Sequence, residues 1–92
     1  MFNLGSINIV EQQGTAKMPQ EAASAWSAFD TNMVGASYKP MDYIGTQIVK
    51  GTNYYFIAEQ TLILATPQRH IVLVIVNEFE GNYTIKGIEQ II

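Results

Sequence analysis

Hydrophobic positions along this chain change their period once, from helical spacing in the first third to β-type alternation that holds to the C-terminus. Ile7 to Val10 form a short β-branched run closed by the polar Glu11-Gln12-Gln13-Gly14, which predicts a brief first strand and a turn. Ala22, Ala23, Trp26, Phe29 and Met33 then recur at the spacing of one helix face. Pro19 suits the first helical position, Glu21 falls in the first turn, where an anion complements the helix dipole, and Gly35 is a natural stop. A helix of about 14 residues is marginal in water without tertiary packing. The Trp26 and Phe29 face must therefore lie on something apolar.

That partner is a sheet, because everything from Ser37 onward has β composition. Strands are predicted from Tyr38 to Val49, Asn53 to Leu64, Ile71 to Phe79 and Tyr83 to Ile91. The breaks Lys50-Gly51-Thr52, Thr66-Pro67-Gln68-Arg69-His70 and Glu80-Gly81-Asn82 are short enough to join antiparallel neighbours, giving a meander. Pro40 implies an edge position or a bulge, since proline cannot donate to the ladder. The expected architecture is α+β, with one helix packed across a four- to five-stranded antiparallel sheet. The run from Ile71 to Val76 is apolar on both faces although a helix covers only one, so a second subunit is an expected cover for the other.

Composition narrows the function more than the fold. At 48% hydrophobic and 14% charged the chain is globular, and residues 1–92 read as a single domain. Lys17, Lys39, Lys50, Arg69 and Lys86 are scattered in a chain of net charge −3, which argues against nucleic acid as a partner. With no cysteine there is no disulfide, thiolate metal site or thiol nucleophile, and the single His70, read as a solvated loop residue, cannot hold a metal alone. The carboxylates are dispersed singly, so neither a paired-acid mechanism nor a metal cluster is expected. The chain reads as a non-enzyme without cofactor. No signal-peptide pattern opens it, and the longest apolar run falls far short of the roughly 20 residues that span a bilayer. A cytoplasmic protein without a membrane partner is expected.

The first hairpin carries the most specific pattern, Gln47-Ile48-Val49-Lys50-Gly51-Thr52-Asn53-Tyr54. It matches Q-x-V-x-G and continues Gly-Thr-Asn-Tyr, and in both respects, as in element order and length, the chain resembles the cystatins, above all their stefin-like members. The resemblance implies a cystatin-like fold and reversible, competitive inhibition of papain-like cysteine proteases, with this hairpin entering the active-site cleft. The residue types suit such a task. Gly51 permits a tight turn and close approach, Gln47 and Val49 offer one polar and one apolar contact, and Thr52 and Asn53 are suited to local turn bonds.

The resemblance implies two further contact elements. One is an N-terminal glycine, best matched by Gly5 behind the apolar Met1, Phe2 and Leu4. The other is a second hairpin loop, at Phe79-Glu80-Gly81-Asn82, where Gly81-Asn82 reads as the turn; unlike its cystatin counterparts this loop has neither proline nor tryptophan. The protease-binding set is accordingly Gly5, Gln47, Ile48, Val49, Lys50, Gly51, Thr52, Asn53, Phe79, Glu80, Gly81 and Asn82. Since the family also exchanges N-terminal halves between chains, hinging near Val49, a homodimer, including a domain-swapped one, is an expected partner state. The alternative function is a cystatin-fold interaction or self-association module without inhibitory activity.

Overall fold

A computed structural model describes residues 7–9 and 18–92. The chain runs β1 (Ile7–Ile9), α1 (Gln20–Thr31), β2 (Ala36–Val49), β3 (Gly51–Leu62), β4 (Gln68–Phe79) and β5 (Asn82–Gln90). The strands form one antiparallel sheet in the order β1-β2-β3-β4-β5, with α1 lying across one face. This is the α+β arrangement expected of the sequence, and it agrees with a cystatin-like fold.

Boundaries shift where local chemistry outweighs periodicity. Pro19 is the N-cap and not the first helical residue: it is extended, at ψ 160°, and its carbonyl accepts the Ala23 amide at 2.9 Å. The helix ends at Thr31, and its last turn is drawn closed by the Asn32 side chain donating to the Ala28 carbonyl. Met33 lies beyond the helix yet still packs against the core. β4 begins at Gln68, so Arg69 and His70 belong to a strand and not to the loop. Arg69 pairs with Thr61 and donates through Nε to Glu59 at 2.7 Å, while His70 is half-buried opposite Gln60.

Alternation sorts the sheet into two faces. Tyr43, Tyr54, Phe56, Ala58, Val72, Val74 and Val76 are buried beneath Ala22, Ala25, Trp26 and Phe29. Trp26 meets Phe29 at 5.0 Å and Phe56 at 5.2 Å between ring centroids, and Phe29 meets Tyr38 at 4.9 Å. The small Ala22 and Ala25 let the helix backbone approach the sheet, while these rings fill the space alongside. Tyr54, Tyr55 and Phe56 alternate between the faces as expected, with Tyr55 opposite Ile75 on the far side.

Pro40 lies at a bulge, one of the two alternatives expected of it. Register slips between Pro40 and Asp42, and again between Tyr43 and Gly45. On the side of β2 away from β3, β1 pairs only with Gln47, Thr46 and Gly45, so the described part of β1 does not reach Pro40. The shift after Pro40 changes which residues of β2 face the core and brings Tyr43 onto the buried face.

Candidate functional site

The meander fixes where the candidate residues lie. Because β2–β3 and β4–β5 are successive hairpins of one antiparallel sheet, their turns emerge at the same end, side by side. β1 starts at that end too, with Ile7 opposite Gln47. Gly5 lies outside the described residues. The other eleven candidates, Gln47 to Asn53 and Phe79 to Asn82, are brought together in two adjoining hairpins.

In the first hairpin, Ile48 pairs with Thr52 and Val49 with Gly51, leaving Lys50 at the tip. Gly51 has φ +83°, the left-handed conformation that closes a three-residue hairpin. It also has no room for a side chain. A Cβ there would fall well inside contact distance of the Glu78 carbonyl oxygen and against the Phe79 Cβ. The glycine is thus required twice, once by torsion and once by the close passage of β4.

A residue outside the candidate set braces this tip. Asn77 is only 7% exposed, and its Nδ2 donates to the Lys50 carbonyl at 3.1 Å and to the Asn53 Oδ1 at 2.9 Å. Asn53 is therefore held across the sheet by β4 and not by a local turn bond as expected, since its register partner Asn77 stands directly opposite. The available signal for Asn77 was a carboxamide directly after the apolar run Ile71 to Val76.

Gln47 is also engaged: its Oε1 accepts from the Tyr55 hydroxyl at 2.8 Å, which orients the carboxamide. Ile48, by contrast, is 49% exposed. Lys50 extends back over the second hairpin, its Nζ 5.3 Å from the Phe79 ring centroid. The tip thus combines an exposed aliphatic side chain, an oriented amide and a cation resting on an aromatic ring.

The second hairpin turns at Glu80-Gly81 and not at Gly81-Asn82. Phe79 and Asn82 are its closing pair, and Glu80 and Gly81 have φ of 51° and 83°. Positive φ at both central positions is the type I′ geometry that matches strand twist. Glu78 folds over to accept the Gly81 amide at 2.7 Å, which secures the turn. Phe79 is partly exposed beside Lys50 and supplies the aromatic surface of this loop.

On the face away from the helix, a depression of about 460 Å³ lies behind the hairpins, with Val49, Asn77, Phe79 and Lys86 among its walls. Lys86 is the extra residue of β5 where register slips between Ile75 and Val76. Among the described residues no cluster of three or more histidine or acidic side chains is placed to hold a metal, and no helix is long and apolar enough to cross a membrane. Compared with known proteins, the chain finds no matching family model, curated protein or solved structure.

Proposed function

We propose that this protein is a reversible, competitive inhibitor of papain-like cysteine proteases, using the Gln47–Asn53 hairpin as the leading edge of a wedge. The observation that carries this reading is the coincidence of the Gln47-Ile48-Val49-Lys50-Gly51 pattern with a projecting hairpin tip whose shape is set before binding. A tip already held by Asn77 and by the Gly51 contact loses little conformational freedom on entering a cleft, so a modest contact area suffices. Phe79 and Asn82 extend the edge sideways, and Gly5 is assigned to its third part. Inhibition assays against a panel of papain-like proteases test the proposal. Competitive inhibition is expected, with the inhibition constant rising about 30-fold in Val49→Asp, as for a central contact residue. Absence of inhibition across the panel at micromolar protein would overturn it.

A second reading, a self-association module, has its own observation. On the face without the helix, Ile57 pairs with Leu73 and Tyr55 with Ile75, placing apolar side chains together where strict alternation calls for polar ones. A second copy of the chain is the cover this reading assigns to that face.

A further inference from the structure

Beside the second hairpin, on the helix side of the sheet, a cleft of about 380 Å³ separates the start of α1 from the ends of β3, β4 and β5. Its walls are Gln20, Glu21, Ser24, Tyr54, Glu78 and Tyr83. We propose that this cleft receives the guanidinium or ammonium group of a basic side chain projecting from a polypeptide partner.

Tyr54 supplies the first argument. The residue is only 9% exposed, and its hydroxyl, which makes no hydrogen bond with a described group, is not sealed in the core but opens on the cleft, where a ligand can reach it. It shares the cleft with Glu21 and Glu78, so a donor bearing positive charge is the group that can serve all three.

Charge supplies the second. Among the described residues no cation lines the cleft, and the Arg69–Glu59 ion pair lies elsewhere. Glu21 offsets the positive end of the helix dipole, which leaves the Glu78 charge in excess. Glu78 uses Oε2 to accept the Gly81 amide, so its other oxygen is available for a ligand. The negative field is visible at Tyr54 itself, whose phenol is pushed up first by burial and then by Glu78, Glu21 and Tyr83.

Ring geometry and access supply the third. Tyr83, an exposed ring, contributes aromatic surface next to two carboxylates and the Tyr54 hydroxyl, a combination that recognises organic cations through a ring face and hydrogen bonds together. Gln20, Glu21 and Ser24 are exposed, so the cleft is open along its helix side. Small free ligands usually require burial of most of their surface, whereas a side chain presented by a partner does not. This inference does not rest on protease inhibition.

The test is a heteronuclear NMR titration of the full chain with acetyl-Ala-Arg-Ala-amide and with its neutral citrulline counterpart. Saturable shifts at the amides of Ser24, Tyr54 and Tyr83 are expected, with the arginine peptide binding about fivefold more tightly than the citrulline peptide. The exposed substitution Glu21→Gln, combined with Glu78→Gln, should erase that difference, and Tyr54→Phe should weaken arginine binding while preserving the spectrum of the fold. Equal shifts from the two peptides would overturn the proposal. So would arginine binding unaffected by these variants, or shifts centred on the opposite face near Lys86.

Discussion

The shape of the Val49–Gly51 tip rests on one side chain that is present and one that is absent. Removing the Asn77 carboxamide strands the Lys50 carbonyl and the Asn53 side chain, so Asn77→Ala is expected to lower stability by about 2 kcal/mol in a urea titration. Adding a methyl at Gly51 acts in the opposite sense and is no milder. A left-handed alanine together with the Glu78 contact should destabilise Gly51→Ala by at least about 2 kcal/mol. Two buried phenols give the fold an alkaline limit. Tyr43 is raised above its ordinary value near 10 by burial, then by Tyr54 and Glu21; Tyr54 is raised by burial, then by Glu78, Glu21 and Tyr83. Above pH 10 the unfolded chain therefore loses these protons before the folded one does, and the folded state holds more. Stability from these groups is fully present below the unfolded value and is lost as pH rises through the folded one. Urea midpoints should begin to fall above about pH 10, and the double variant Tyr43→Phe, Tyr54→Phe should flatten that fall.

At the scale of elements, α1 and the sheet depend on each other. Twelve residues without a side-chain N-cap do not hold a helix in water, and the sheet face beneath them is aromatic and aliphatic throughout. Trp26→Ala removes contacts with both Phe29 and Phe56 and should cost about 3–5 kcal/mol, read as a lowered midpoint in thermal and urea unfolding. The order of elements was legible because the helical period of Ala22, Trp26 and Phe29 gives way to strands bounded by Gly, Pro and Asn. The Pro40 irregularity was legible for a covalent reason, its missing donor. The extra residue at Lys86 was less so: Gly87 beside it is a type that accompanies bulges, but which residue is the extra one appears only once β5 is set against β4. The site divides in the same way. Gly51 announces itself by type, whereas the brace from Asn77 depends on a register partner 24 residues away from Asn53, which single-strand periodicity does not encode.

For the molecule as a whole, two modes of self-association make different demands on the same hairpin. Face-to-face association through Ile57, Leu73 and Ile75 leaves the hairpin end free, because these residues lie along the middle of β3 and β4. Exchange of N-terminal halves through Val49 instead requires the tip to open, breaking the Asn77 bonds and releasing the Gly51 contact. Rates distinguish them. A surface dimer dissociates on dilution without unfolding, whereas exchange must cross a barrier that includes disruption of the core. If the open face associates, light scattering across a concentration series should show mass rising above that of one chain and reverting promptly on dilution. The substitution Leu73→Glu should hold the protein at the single-chain mass, since it places a charge at the centre of the apolar row. Its inhibition of proteases should remain that of the parent, because residue 73 is far along the strand from Asn77 and the tip. Monomer mass at every concentration in the parent would remove the second reading and leave the open face as solvated surface.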